Sequence, residues 1–130
     1  LASITNLPVH KASVDTLVCC EVLYEIKDIK PALSEIKRVI KKNGFAIITN
    51  SNSYAYKYSV KGNHPFIQNK WTYAGFINLF QKYGFEFIES SKIGWWIPIP
   101  TWLTKTSYQL PISSPKEEYN TNFIYVFKKR

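Results

Sequence analysis

Methionine is absent from this chain, position 1 included, and arginine nearly so, with only Arg38 and Arg130 among 130 residues. The scarcity of arginine matters because lysines and arginines outnumber acids 17 to 9, for a net charge of +8. Phosphate and base recognition usually leans on the planar arginine fork, so two arginines argue against a nucleic-acid reader. The lysines adjoin only at Lys41–Lys42 and Lys128–Lys129. Their linear spacing gathers no basic face, so nucleic acid is not an expected partner. A solvated lysine-rich surface with a weak preference for anions is what remains.

Long apolar runs are also missing. None approaches the ~18 residues of a membrane span. Leu1 to Ser13 has no charged start followed by an apolar stretch, so no signal peptide is visible. Of the two cysteines, Cys19 and Cys20 are neighbours. Adjacent residues on a strand point to opposite faces, so a mutual disulfide is not expected. They read as buried thiols of a reducing, cytoplasmic compartment. Without a second ligand cluster they make no metal site.

Hydrophobic residues are plentiful at 45%, and aromatics stand at 16%, ample for one packed core. Val14 to Cys20 is apolar at nearly every position after Asp15, the mark of a strand buried on both faces of a parallel sheet. Asp28 suits an N-cap and Pro31 the first turn of a helix over about Ile29 to Lys42. Ile29, Leu33, Ile36 and Ile40 form its apolar side, and Lys41, Lys42 and Gly44 its expected end. Phe45 to Thr49 is the next buried strand. Two parallel strands bridged in this way imply a right-handed crossover. Asn50 to Lys70 is a long polar loop, a form that often carries function. Thr72 caps a second helix bearing Phe76, Ile77, Leu79, Phe80 and Tyr83, and Gly84 ends it. Phe85 to Ser90 is a strand. Ile93 to Pro115 reads as irregular, with Trp95, Trp96 and Trp102 packing it as a lid or facing a lipid or partner. Asn122 to Lys128 closes the chain as a strand antiparallel to the rest.

The pattern begins mid-motif. The strand expected before Val14, with its ligand-binding turn, is not in the sequence, so the back half of an α/β domain is expected. The run from Leu7 to Asn52 resembles the second half of class I S-adenosylmethionine-dependent methyltransferases. Leu7-Pro8, Val14-Asp15, Glu21-Val22-Leu23, Ile26, Asp28, Ala32-Leu33, Glu35-Ile36, Arg38-Val39 and Asn43-Gly44 fall in that family's register. Trp71 to Glu89 resembles its later helix and strand, and Tyr125 to Lys129 a common ending. Ser3 stands where the family usually has aspartate, and Glu25 where it often has histidine.

The resemblance implies a fold and a site. The expected fold class is α/β: a single partial domain over residues 1–130, the C-terminal part of a Rossmann-like methyltransferase sheet lacking its first strands. Its parallel strands have crossover helices and its last strand is antiparallel. The implied cofactor is S-adenosylmethionine, bound by Ser3 and Ile4 on the adenine side and by Cys20 and Glu21 at the strand end. The glycine-rich turn and the ribose-binding acid would lie in the missing half. Asn50, Tyr54, Tyr56 and Trp71 are the candidates for an acceptor pocket. Glu25 and His64 are the weak candidates for a general base. The implied activity of the full-length parent is methyl transfer to a small-molecule or lipid-like acceptor, with this fragment inactive alone. Two rival readings stand beside it: a non-catalytic partial domain that pairs with a partner chain, and a basic module for RNA or membrane surfaces. The unprotected edge of Val14–Cys20 is expected to drive self-association.

Overall fold

The structure, a computed structural model, describes residues 2–52, 67–96, 109–116 and 120–130. Tyr54, Tyr56, His64 and Trp102 lie outside the described residues.

Strand β1 (Val14–Cys20) leads through a single 3-10 turn (Leu23–Glu25) into helix α1 (Ile29–Val39), and α1 returns to β2 (Ile40–Ser51). Helix α2 (Tyr73–Lys82) follows, then β3 (Phe85–Trp96), the two-residue β4 (Gln109–Leu110) and β5 (Asn120–Lys129). The five strands form one sheet in the order β1-β2-β5-β3-β4. β1 and β2 pair in parallel, as the apolar strand–helix–strand pattern requires. β5 inserts between β2 and β3 and runs antiparallel to both.

Helix α1 starts as the sequence dictates. The Asp28 carboxylate accepts the Lys30 N–H at 3.1 Å, satisfying one of the donors that a helix start leaves open. Its end differs from expectation. The helix stops at Val39, and Lys41 and Lys42 lie in β2. Between the pairs Val14↔Ile40 and Thr16↔Phe45, β2 makes a four-residue excursion that β1 does not match. Asn43, at φ 64°, is the left-handed residue there, and Gly44 is not. Gly44 is needed for proximity instead. A Cβ on it would lie 2.7 Å from both the Asp15 carbonyl oxygen and Ile40 Cγ2.

Helix α2 keeps both expected ends. Thr72 Oγ1 accepts the Gly75 N–H at 3.0 Å, and Gly84 turns left-handed at φ 85°. β3 runs through Trp96, so Ile93 to Trp96, expected to be irregular, are strand. The extension is possible because β5 starts early and offers pairing partners out to Asn120, opposite Trp95. A bulge between Phe87 and Glu89 leaves Ile88 exposed.

The core lies on one face of the sheet. Ala46, Ile48, Phe123, Tyr125 and Phe127 share that face by register, and Ala32, Leu33, Ile36, Val39, Phe76 and Phe80 from the two helices cover it. Phe80 stacks on Phe127 with ring centroids 4.3 Å apart. The opposite face has no helix among the described residues. This corrects the expectation that β1 and β2 are buried on both sides: Val18 is 62% exposed, and Cys20 and Phe45 are also exposed. Of the two thiols, Cys19 is buried and Cys20 is not, and both are free.

The segment before β1 is tied down by two residues of α1. Glu35 accepts the Leu7 N–H at 2.8 Å and two bonds from Arg38, at 2.8 and 2.7 Å. Arg38 Nη2 also donates to the Leu7 and Val9 carbonyls, at 3.1 and 2.7 Å. The Arg38 bonds first, and the Leu7 N–H second, lower the Glu35 carboxyl from 4.5 to about 2. A pKa depressed by folding gives stability that is present above pH 4.5 and lost as pH falls toward 2. Glu35→Gln should therefore be less stable than the parent chain at pH 6. Its urea midpoint should also fall less between pH 5 and pH 2, so that the two chains converge. Parallel midpoint-against-pH curves would show that the clamp carries no linkage.

Candidate cofactor and acceptor site

Parallel strands place their ligands beyond their carboxyl ends, where backbone groups lose their sheet partners. Here those ends are Cys20–Glu21 on β1 and Thr49 to Asn52 on β2. Glu21 has a left-handed backbone, φ 55°, which costs a residue with a side chain on the order of 1–3 kcal/mol. The turn is held because Thr49 accepts the Glu21 N–H twice, on its carbonyl at 3.3 Å and on Oγ1 at 2.9 Å. Ser51 Oγ donates to Glu21 Oε2 at 2.6 Å. The other carboxylate oxygen, Oε1, is buried with no partner.

Asn50 sits on the opposite, helix-covered face, in register with Phe123 and only 2% exposed. Its Nδ2 donates to the Ser51 carbonyl at 3.2 Å, while Oδ1 is buried and unpaired. Two acceptors without donors, one on each face at the end of the strands, are unusual in a folded chain, because each costs about 1–3 kcal/mol.

An apolar cavity of about 540 Å³ runs along the outer edge of β1. Ile4, Leu7, Val14, Cys20, Val22 and Val39 are among the residues that line it. Ile4 and Cys20, expected near the cofactor, are thus brought together. Ser3 does not line the cavity. Its hydroxyl bonds Thr5 Oγ1 at 2.8 Å within an exposed turn closed by Asn6 N–H to the Ser3 carbonyl at 2.9 Å. Next to this edge, burial first and the neighbouring Cys20 and Glu21 second push the Cys19 thiol up to about 11. It is therefore a protonated core group at neutral pH and not a nucleophile.

The other candidates are dispersed. Glu25 is exposed on the 3-10 turn and does not line the β1 cavity. Trp71 packs on Phe76, with ring centroids 5.3 Å apart, against the core. The chain returning from the long loop is pinned to the 3-10 turn. Tyr24's carbonyl accepts the Gln68 and Asn69 N–H groups at 2.8 and 3.0 Å, and Asn69 Nδ2 donates to the Ile26 carbonyl at 2.5 Å.

Three contributors went unnoticed in the sequence. Ser51 and Thr49 hold Glu21, and the Glu35–Arg38 pair holds the loop that carries Ile4. The run Thr49-Asn50-Ser51-Asn52, polar straight after an apolar strand, was the available signal for the first two. The i,i+3 spacing of Glu35 and Arg38 was the signal for the pair.

Residues 1–48 match the family model described as a methyltransferase domain. Solved methyltransferase structures share the fold over nearly the whole chain. An S-adenosylmethionine-dependent methyltransferase from Thermotoga maritima is 19% identical, with a TM-score of 0.66 over 99% of this chain and 62% of its own. One from Mesorhizobium loti is 11% identical, with a TM-score of 0.65 over 98% of this chain and 67% of its own. The [4+2]-cyclase SpnF also shares the fold, at 13% identity and a TM-score of 0.65 over 98% of this chain and 55% of its own. The chain thus spans roughly three fifths of the length of such structures. No curated protein matches it. The cyclase shows why fold alone does not assign a reaction.

Proposed function

We propose that this chain is the carboxyl-terminal part of an S-adenosylmethionine-dependent methyltransferase whose full-length parent acts on a small-molecule or lipid-like acceptor. The observation that carries the reading is the methyltransferase-domain match over residues 1–48, which holds β1, α1 and the Glu21 turn.

The residues present fit part of the cofactor. Ile4, Val22 and Cys20 offer an apolar wall suited to the adenine and thioether portions, and Glu21, between Cys20 and Val22 in sequence, holds a buried acceptor with no partner. Nothing in the described lining is built for the ribose hydroxyls, and the sequence's five glycines form no glycine-rich turn. The bound sulfonium would supply the methyl group. The chain's own residues would align it and exclude water, the main demands of an in-line displacement. The unpaired Asn50 Oδ1, at the carboxyl end of β2, is the chain's own candidate to accept a hydrogen bond from the methyl acceptor.

The test is complementation. Adding a separately made amino-terminal half, with a first strand and a glycine-rich turn, should restore binding of S-adenosylmethionine to the micromolar range. Glu21→Gln in the complemented protein should weaken it about tenfold, the loss of one charge-assisted hydrogen bond. A complemented, folded protein that still ignores the cofactor would reject the reading.

A further inference from the structure

The lysines that look scattered in sequence are gathered by the fold at the pole opposite the Glu21 end. Lys42 is on the β2 excursion, Lys128 and Lys129 end β5 with Arg130 next, and Lys82 ends α2 just before β3 begins. Because β5 lies between β2 and β3 and runs against both, its last residues stand beside the first residues of its neighbours. Lys37, in the last turn of α1, joins them. Lys129 Nζ donates to the Lys37 and Ile40 carbonyls, each at 2.6 Å. Lys37 Nζ would lie 2.9 Å from a Cβ placed on Gly84, and Arg130 N–H donates to the Gly84 carbonyl at 3.2 Å. Burial first, and then Lys37 and Lys11, lower the pKa of Lys129.

Eight cations lie on or beside the element ends at this pole: Lys11, Lys37, Lys41, Lys42, Lys82, Lys128, Lys129 and Arg130. Among the described residues, Asp15 is paired with Lys41 at 2.9 Å, and Glu86 faces Arg130 at 3.6 Å and stands in register with Lys128. The helix ends account for Lys37 and Lys82, which complement the negative carboxyl termini of α1 and α2. They do not account for Lys11, Lys42 or Lys128. Strand spacing of ~4.8 Å makes this a ridge of about 15 Å across β1, β2, β5 and β3.

We propose that this lysine ridge docks the phosphate backbone of a single-stranded nucleic acid, without reading its sequence. Lysine meets phosphate as a point charge and carries no base code. A membrane surface fits less well, since membrane-surface elements pair their charges with inserted apolar side chains. Phe45, the register partner of Lys128, is the exposed aromatic beside the ridge, and one partly exposed ring does not make an inserted apolar face. The ridge is about 20 Å from Cys20, the length of β1, so it does not rest on the methyltransferase reading.

Fluorescence anisotropy with a labelled 12-mer of oligouridine tests it on the 130-residue chain. Saturable binding is expected, with a slope of log K against log salt between about −2 and −4, as for three to five phosphates. Lys42→Glu/Lys82→Glu should weaken binding at least tenfold, and Lys42→Gln/Lys82→Gln by an intermediate factor. Lys27→Glu/Lys30→Glu makes the same charge change at the other pole and should cost less than threefold. All four lysines are exposed, and matching circular dichroism of the variants shows that the fold is kept. Equal losses in the two glutamate pairs, or no saturable binding, overturn the proposal. So does capture by phosphatidylserine vesicles that depends on Lys42 and Lys82 while oligouridine does not bind.

Discussion

Titrated with S-adenosylmethionine, the 130-residue chain alone should bind at least three orders of magnitude more weakly than the same chain complemented with an amino-terminal half. The cofactor's charged and hydroxylated parts need directed donors and a carboxylate, and the described lining of the β1 cavity is apolar. A charge-assisted hydrogen bond is worth roughly 1.5–3 kcal/mol, and tenfold in affinity is about 1.4 kcal/mol. Two or three missing bonds therefore put the dissociation constant well above the micromolar range. Isothermal titration reads it directly. A micromolar constant for the chain alone would mean that Glu21, Asn50 and the Ile4 loop make a whole site between them.

The second large effect is self-association. β1 pairs only with β2 among the described residues, so its other side carries unpaired backbone donors and acceptors. Thr16, Val18 and Cys20 stand exposed on the uncovered face, with no lysine or proline on the strand to guard it. An apolar, unguarded edge recruits another strand. Sedimentation at tens of micromolar should show dimers and larger species. Val18→Lys should shift the distribution to monomer, lowering the association constant at least tenfold, without lowering the unfolding midpoint. Val18 is too exposed for its loss to leave a hole. A wild-type chain that sediments as monomer at that concentration would show that the edge is harmless or covered.

The elements set by local chemistry were legible in the sequence. Val14–Cys20 is the strand that its apolar run describes, and Asp28, Thr72 and Gly84 terminate the helices they were expected to terminate. What failed depended on distant partners. The basic and glycine signals at Lys41, Lys42 and Gly44 fit a helix end, yet β1 draws Ile40 into the sheet and makes that stretch an excursion. Ile93 to Trp96 is followed by Pro98 and Pro100 and reads as irregular, but β5 supplies a pairing partner. Apolar composition placed β1 inside a sheet and was blind to which face would be covered. At the site, residue type pointed to Glu21 and Asn50. Their unpaired oxygens follow from the turn at Glu21 and from the two faces of β2, which no spacing encodes. The lysine ridge was invisible for the same reason, since only the order β2-β5-β3 brings Lys42, Lys82 and Lys128 to one pole.

The proposed reading makes β1 an open edge at which the amino-terminal half of a methyltransferase domain would dock, and amide exchange tests it most directly. The Glu21 N–H faces Thr49, so by strand alternation the Leu17 and Cys19 amides face β2 while Val18 and Cys20 face the open side. In the dilute, monomeric chain, Val18 and Cys20 should exchange at least a hundredfold faster than Leu17 and Cys19, and adding the amino-terminal half should slow them to match. Slow exchange at Val18 and Cys20 in the isolated monomer, unchanged by the added half, would contradict the account.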